Sequence, residues 1–224
     1  MSRGKEGQNQ LITVPAGAET YEWYKDNLLQ SETSHVYSAN LTGEYFVIAS
    51  NGDCPSTSEI VEISVLPYPD VTLSTPTALE ICEGETEMVS IPLGAETYQW
   101  FFNNNPINET SSQVEISTAG NYFVSAANGN CEANSESVSL NVVNYPDVTI
   151  TLSDEQELCE GEILEIEVPT GAESYNWFDG NDLIAQNVNA ITTLESGNYY
   201  VVAANSDCAS NSDEVPVHFY QYPE

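Results

Sequence analysis

A single pattern of residues occurs three times along this chain, and it limits the possible folds more than any other feature. Trp23 is followed 77 residues later by Trp100, and Trp100 is followed by Trp177 at the same step. The same spacing, without an insertion or a deletion, holds for the Gly-Ala-Glu motifs that begin at Gly17, Gly94 and Gly171, and for Cys54, Cys131 and Cys208. A fixed period of this length is typical of repeated structural units, so we expect three copies of one module.

The module boundaries fall at a recurring Tyr-Pro motif that is followed by an acidic residue, where proline removes an amide donor and stiffens the linker. The predicted modules are 1–68, 69–145 and 146–224. Residues 71–74 of the second module have no counterpart in the first. We therefore expect the first module to lack its N-terminal strand. Residues 1–5 are not a signal peptide, because no apolar core follows them, so we also expect the chain to be an excerpt of a longer protein.

The second module shows short polar–apolar alternations and aromatic runs separated by turn residues. These predict about seven strands, including 71–74, 87–91, 97–102, 114–116, 122–126 and 138–142. So many strands in so short a module favour two packed sheets. Trp100 in the third strand and Tyr122 at the start of the sixth resemble the immunoglobulin pattern of a core tryptophan and a tyrosine corner. Val124 stands where antibody domains carry the sixth-strand cysteine.

The sequence therefore predicts an all-β chain of three tandem immunoglobulin-like β-sandwich modules, the first lacking its N-terminal strand. Each module should have its own tryptophan-centred interior. The predicted core aromatic residues are Trp23, Trp100, Trp177, Tyr45, Tyr122 and Tyr199.

The charge is strongly one-sided, with 35 acidic residues against three basic ones. Phosphate binding needs clustered basic side chains, so nucleic acid and anionic membrane surfaces are excluded as partners. No apolar run reaches the roughly 20 residues that span a bilayer, and we expect no membrane insertion in this segment. Repulsion among the carboxylates should make stability rise with ionic strength.

The five cysteines form a pattern of their own. Cys82 and Cys131 are 49 residues apart, as are Cys159 and Cys208, and we expect disulfides within these two pairs. Cys54 then remains a free thiol. A bond between modules, Cys82 with Cys208, stays open, because in this topology the start of the second strand and the end of the sixth lie at opposite ends of the sandwich. Either pairing indicates an oxidising, extracellular setting.

No residue pattern typical of catalysis recurs in the modules. His35 and His218 are the two histidines, and we expect both on the solvated surface. No Ser-His-Asp or Cys-His arrangement is available. Glu83 and Glu85 are an example of the paired carboxylates, which we interpret as the solvated face of strands. The sequence predicts a protein that is not an enzyme and needs no organic cofactor.

Structural calcium is the one ion that the composition favours, because hard cations bind carboxylate and carbonyl oxygens. The candidate ligands lie near linkers and turns. They are Asp70, Asp147, Asp154, Glu83 and Glu160.

Four motifs together resemble a known family. They are the Cys-Glu-Gly-Glu string at Cys159, a Tyr-x-Trp-Phe strand, a Gly-Asn-Tyr strand and an Asn-Gly-Asn-Cys loop. They are similar to the immunoglobulin-like and PKD-like repeats of secreted surface proteins and adhesins of Bacteroidota-type bacteria. Lys5, in place of the first cysteine, departs from that pattern.

The resemblance implies a non-catalytic stalk, spacer or adhesive rod of a cell-surface protein. The expected partners are neighbouring modules or other copies of the chain, and surface glycans or proteins. The exposed sheet edge of the first module would accept a strand from another copy, which predicts fibre formation. A carbohydrate-binding module and an accessory domain of a secreted hydrolase are the alternatives.

Overall fold

The computed structural model of this protein describes residues 2–5 and 9–223, with side chains from residue 9 onward. Every regular element in that part of the chain is a β-strand, which confirms the all-β prediction. A helix long and apolar enough to cross a bilayer is absent from the described residues. The chain divides into two compact units: residues up to Thr77 with Val89–Val114 and Asn121–Val138, and Ala78–Met88 with Glu115–Gly120 and the residues from Ser139 onward. The predicted boundaries stay predictions, and modules 1, 2 and 3 serve below as names for the three copies.

The strands follow one another in the same order in each copy. In module 1 they are β1 (Ser2–Lys5), β2 (Gln10–Thr13), β3 (Thr20–Lys25), β4 (Leu28–Leu29), β5 (Val36–Ala39), β6 (Gly43–Asn51), β7 (Cys54–Thr57) and β8 (Val61–Leu66). In module 2 they are β9 (Ala78–Cys82), β10 (Glu87–Ser90), β11 (Thr97–Phe102), β12 (Asn105–Pro106), β13 (Gln113–Ile116), β14 (Gly120–Asn128), β15 (Cys131–Asn134) and β16 (Val138–Val143). In module 3 they are β17 (Thr151–Leu152), β18 (Glu157–Cys159), β19 (Leu164–Glu167), β20 (Ser174–Asp179), β21 (Asp182–Gln186), β22 (Ala190–Thr193), β23 (Gly197–Asn205), β24 (Cys208–Asn211) and β25 (Val215–Tyr220).

Module 3 is a two-sheet sandwich. One sheet has the strand order β18-β25-β23-β20-β21, with β24 paired to β23, and the other has the order β17-β19-β22. Along β23 the buried side chains of Tyr199, Val201 and Ala203 alternate with more exposed neighbours, because successive side chains of a strand point to opposite faces. They pack with Trp177 and Leu164 in one hydrophobic core. Replacing such a buried tryptophan with alanine lowers the free energy of unfolding by about 3–5 kcal/mol.

Module 1 repeats this arrangement with one strand fewer. Its larger sheet has the order β1-β8-β6-β3-β4, with β7 paired to β6, and its smaller sheet has only β2 and β5. Strand β2 is the repeat counterpart of β19, which in module 3 also pairs with β17. Within the described residues β17 has no counterpart in module 1, as predicted. Module 2 has none either, since its smaller sheet consists of β10 and β13.

A short parallel strand at the start of each module is the feature that the sequence pattern misses. Lys5 at the end of β1 pairs with Leu66 at the end of β8. Strand β9 lies parallel to β16 in the equivalent register, in which Cys82 pairs with Val143. Strand β18 likewise lies parallel to β25. The parallel pairing places the first cysteine position of a module beside the last residues of that module's final strand.

The predicted strand at residues 71–74 is wrong. The Asp70 side chain accepts hydrogen bonds from the Thr72 amide (2.9 Å) and hydroxyl (2.7 Å), which folds the backbone into a local turn. Ser74 bonds to the neighbouring strand at Ser90: its amide donates to the Ser90 carbonyl (2.8 Å), and its hydroxyl accepts from the Ser90 amide (3.0 Å). Regular pairing begins at Ala78.

The predicted core aromatic residues are buried, and their polar atoms are satisfied. The three tryptophans have no exposed surface, and each indole donates a hydrogen bond to the carbonyl 11 residues downstream, at Ser34, Ser111 and Val188. The tyrosine corner is present at Tyr45, whose hydroxyl donates to the Leu41 carbonyl (2.8 Å), and at Tyr199, whose hydroxyl donates to the Glu195 carbonyl (2.9 Å). Burial raises the pKa of both phenols above the ordinary value near 10. These bonds avoid the cost of a buried polar group without a partner.

Candidate functional site at the module junctions

Two ends of the module carry most of the recurring polar residues. The proximal end lies beside the preceding linker and contains the Gly-Ala-Glu motif and the turn after the longest strand. The distal end lies beside the following linker and contains the Cys-Glu-Gly-Glu motif. In module 2 these are residues 94–96 with 128–131, and residues 82–85 with 143.

At the proximal end, a glutamate and an asparagine form hydrogen bonds that support the turn after the longest strand. The Glu96 carboxylate accepts a hydrogen bond from the Gly129 amide (3.0 Å), and Asn128 Oδ1 accepts one from the Glu96 amide (3.0 Å). The same two bonds recur at Glu19 with Asn51 and Gly52, and at Glu173 with Asn205 and Ser206. The Gly-Ala-Glu motif is therefore the support of this turn, a role that the sequence alone does not indicate.

The same asparagine ties the module to the linker before it. Asn128 Nδ2 donates to the Pro67 carbonyl, and Asn205 Nδ2 donates to the Asn144 carbonyl, both at 3.0 Å. Each bond spans 61 residues of sequence. Two modules thus bind their preceding linkers with the same geometry.

At the distal end, the Cys-Glu-Gly-Glu motif forms a tight turn. The Cys82 amide donates to Glu85 Oε2 and the Glu85 amide donates to the Cys82 carbonyl, both at 3.0 Å. Gly84 between them has φ +86°, a left-handed conformation that favours glycine. The Glu83 amide donates to the Val143 carbonyl (2.9 Å). The motif therefore holds Cys82 at the end of the final strand of its module.

A disulfide joins the distal end of module 2 to the proximal end of module 3. It links Cys82 to Cys208, with 5.5 Å between the Cα atoms and 126 residues of sequence between the partners. The expected pairs Cys82–Cys131 and Cys159–Cys208 are wrong, and the bond between modules that the sequence left open is the one formed. The physical reason is the parallel strand β9, which places Cys82 beside Val143 at the end of the final strand of its module, within bonding distance of Cys208.

The other three cysteines are free thiols. Cys131 is 1% exposed, and its sulfur donates a hydrogen bond to the Leu66 carbonyl (3.4 Å). Leu66 pairs with Lys5, which occupies the place that a cysteine has in module 2. Cys54, predicted to be free, is exposed, and so is Cys159.

The proposed calcium ligands do not converge. Hydrogen bonds from the Thr72 hydroxyl and amide hold the pKa of Asp70 below its usual range, and those of Thr149 do the same for the pKa of Asp147. Asp154 accepts a hydrogen bond from the amide of the next residue (2.8 Å). Across residues 9–223 there is no group of three or more His, Cys, Asp or Glu side chains close enough to hold a metal ion. Calcium binding by these residues and by Glu83 and Glu160 stays a prediction.

Each module also carries a stacked aromatic pair on the outer face of its larger sheet. The pairs are Tyr24 with Phe46, Phe101 with Phe123, and Phe178 with Tyr200, with ring centroids 4.6–4.9 Å apart. In each pair one ring follows the buried tryptophan by one position, and the other ring follows the buried tyrosine of the longest strand by one position. This offset was the signal available in the sequence. Because the rings cover one face of each other, they offer less open surface than a flat sugar-binding platform. The two histidines, His35 and His218, are exposed, as expected.

Comparison with known proteins gives a likeness in structure only. The chain matches none of the known protein families and none of the curated proteins with which it was compared. Among solved structures it is similar to an I-band fragment of titin, with 16% identity, coverage of 100% of this chain and 95% of that one, and a TM-score of 0.57. It also aligns with the eight N-terminal immunoglobulin domains of the Down syndrome cell adhesion molecule (15% identity, 99% of this chain, 40% of that one, TM-score 0.39) and with murine CEACAM1b (17% identity, 63% and 96%, TM-score 0.38).

The strand order, the core tryptophan and the tyrosine corner define the class of protein. It is a tandem array of immunoglobulin-like β-sandwich modules, as the sequence predicts.

Proposed function

We propose that this chain is a non-catalytic spacer of an extracellular protein, and that its junctions are built to resist separation of the modules. The observation that carries the proposal is the Cys82–Cys208 disulfide, which joins two consecutive modules covalently. Bonds from Asn128 and Asn205 to the preceding linkers support the same role. A binding module does not need fixed junctions, whereas a spacer that transmits force does.

The extracellular setting rests on the disulfide, because such bonds persist in oxidising compartments. The bacterial cell surface as the location rests on the sequence resemblance of the repeats. The high negative charge supports a solvated, non-associating surface between attachment points.

The test is to stretch single molecules from their two ends with and without reductant. With the disulfide closed, the chain between its partners, a sequence separation of 126, cannot extend. The fully stretched molecule should therefore be shorter by roughly 450 Å than after reduction. The variant Cys208→Ser should show the longer length under both conditions, and Cys54→Ser should behave as the unmodified chain. Equal stretched lengths before and after reduction would contradict the spacer role. So would modules that extend under no more force than is needed to stretch an unfolded chain.

A carbohydrate-binding module is the second candidate, and the outward aromatic pairs are the observation that favours it. The measurement is retention of the chain on insoluble polysaccharides, compared with a variant in which Phe101 and Phe123 are both replaced by serine. Retention that the double substitution abolishes would favour this candidate. Retention by neither protein would leave the spacer role as the better account.

A further inference from the structure

Two exposed cysteines occupy the positions that form the disulfide elsewhere in the chain. Cys159 is the repeat counterpart of Cys82, at the distal end of module 3, and Cys54 is the counterpart of Cys208, at the proximal end of module 1. Both are exposed, whereas the bonded pair is buried, with Cys208 only 2% exposed. Cys159 therefore corresponds to one half of the bonded junction, and Cys54 corresponds to the other half.

The backbone around Cys159 has the geometry of the bonded site. The Cys159 amide donates to Glu162 Oε2 (2.6 Å), and Gly161 has φ +93°. The Glu160 amide donates to the Tyr220 carbonyl (2.8 Å), and Cys159 pairs with Tyr220 in the register that Cys82 has with its partner strand. The backbone that carries the Cys159 thiol thus has the bonded geometry without a partner.

The backbone around Cys54 likewise has the geometry of the other half. Cys54 pairs with Asn51 across the turn, as Cys208 pairs with Asn205. The Glu19 carboxylate accepts from the Gly52 amide (3.0 Å), and Asn51 Oδ1 accepts from the Glu19 amide (2.9 Å). The Asn51 side chain is exposed, and within the described residues it makes no bond to a linker, in contrast to Asn205.

We propose that Cys159 of one copy forms a disulfide with Cys54 of a second copy, so that copies join head to tail through the junction seen between modules 2 and 3. This inference rests on the proposed spacer function and extends it to assembly. The partner is a second copy of this chain, because that copy supplies both the cysteine and the Gly-Ala-Glu turn that the bonded junction contains.

The chemistry needs a small-molecule disulfide as oxidant. The Cys159 thiol loses its proton, and its sulfur attacks one sulfur of that disulfide, which releases one small thiol and leaves a mixed disulfide. The Cys54 sulfur, also deprotonated, then displaces the second small thiol. The sum is two protein thiols and one small disulfide giving one protein disulfide and two small thiols.

The pairing should be selective between the two kinds of end. Cys131 is buried and unavailable to a second copy. A Cys159–Cys159 or Cys54–Cys54 bond would join two ends of the same kind, without the strand-end and turn surfaces that meet in the observed junction. Repulsion between copies, each with a formal charge of −32, should slow the encounter, and salt should relieve it.

The experiment incubates the purified full chain with oxidised and reduced glutathione at about 0.15 M and about 1 M NaCl, followed by non-reducing electrophoresis and peptide mapping. We expect a ladder that extends beyond the dimer, peptides in which Cys159 is bonded to Cys54, and formation about tenfold faster at the higher salt concentration. The matched test uses Cys54→Ser and Cys159→Ser. Each alone should yield little product, whereas their mixture should yield a dimer and nothing larger.

Dimers of either variant alone in amounts equal to the mixture, or mapped bonds that are mostly between identical cysteines, would overturn the proposal. A ladder that is unchanged in Cys131→Ser supports it, and loss of the ladder in that variant contradicts it. These outcomes are separate from the spacer test, because stretching a single molecule reports on the Cys82–Cys208 bond and not on bonds between copies.

Discussion

The side-chain amide of Asn128 donates a hydrogen bond to the carbonyl oxygen of Pro67, 61 residues earlier in the chain. Asn128 is a buried polar residue, 8% exposed, and its Oδ1 accepts from the Glu96 amide. One side chain therefore satisfies a turn of its own module and the linker of the module before it. The equivalent Asn51 makes only the first of these bonds within the described residues, so the chain contains its own control.

Asn128→Asp should lower the free energy of unfolding by about 1–3 kcal/mol, because the new carboxylate keeps the bond from Glu96 but faces the Pro67 carbonyl with an acceptor. Urea denaturation followed by tryptophan fluorescence measures the change. Asn51→Asp, which loses no bond to a linker, should change the value by less than about 0.5 kcal/mol. Equal effects of the two substitutions would show that the linker bond contributes nothing.

Removing the disulfide should destabilise the segment that it closes. Cys208→Ser should cost about 2–5 kcal/mol, since the bond spans 126 residues and restricts the unfolded chain. Thermal unfolding measured without reductant tests this, with Cys54→Ser as the control that leaves the bond intact. A melting temperature for Cys208→Ser that equals that of the control would contradict a stabilising bond.

Lys5→Cys should create a second bond of the same kind. Its backbone pairs with Leu66, whose carbonyl lies 3.4 Å from the buried Cys131 sulfur. After oxidation the variant should have two free thiols instead of the present three, and its mass should fall by two hydrogen atoms. The expected gain in stability is about 2–4 kcal/mol.

Lys5→Ser is the matched control for that substitution and should leave the thiol count at three. If the new cysteine stays reactive towards a thiol reagent in the folded protein, the equivalence of the first and second junctions is wrong.

The tyrosine corners at Tyr45 and Tyr199 should make the protein sensitive to alkaline pH. Burial raises the pKa of Tyr45 and of Tyr199, so above pH 10 the unfolded chain loses phenol protons that the folded chain keeps. Their contribution to stability is therefore complete below pH 10 and is lost as the pH rises through the raised values.

The variant with both Tyr45→Phe and Tyr199→Phe should lose about 1–3 kcal/mol of unfolding free energy at neutral pH. It loses the bonds to the Leu41 and Glu195 carbonyls and the bond between the Tyr199 and Thr193 hydroxyls. Its stability should also fall less steeply above pH 10. Urea midpoints at about pH 8 and about pH 11 measure both effects. The exposed Tyr222→Phe serves as the control. An alkaline slope that the double substitution leaves unchanged would exclude the corners as its cause.

Salt should stabilise the fold, because 35 acidic residues face three basic ones and the ion pair of Lys25 with Asp26 neutralises little of that charge. The melting temperature should rise from about 0.02 M to about 0.5 M NaCl. Calcium and magnesium at equal ionic strength separate screening from binding. A saturable rise with calcium alone would support the calcium prediction, and equal curves would contradict it.

Much of the fold can be predicted from the sequence, because the residues that stabilise it occur at the same positions in each copy. Trp100 and Tyr122 occur at fixed positions in strands of alternating character, and burial of such residues between two sheets is the stable outcome for a short module. The sequence misses β9 because five residues of weak pattern become a strand only when a partner, β16, lies alongside them. The apolar pattern of residues 71–74 predicts a strand, but the hydrogen bonds of Asp70 with Thr72 form a turn there instead.

The amino-acid sequence by itself determined the number of modules, the sandwich interior and the set of cysteines available for bonding. It did not determine their pairing. A constant period preserves the spacing from Cys82 to Cys131 and the spacing from Cys82 to Cys208 equally well, so the repeat cannot distinguish a bond within a module from a bond between modules. Only the tertiary structure decides this, because a parallel strand carries Cys82 to the end of its module that meets the next one, and a disulfide forms only between sulfurs that the fold brings together.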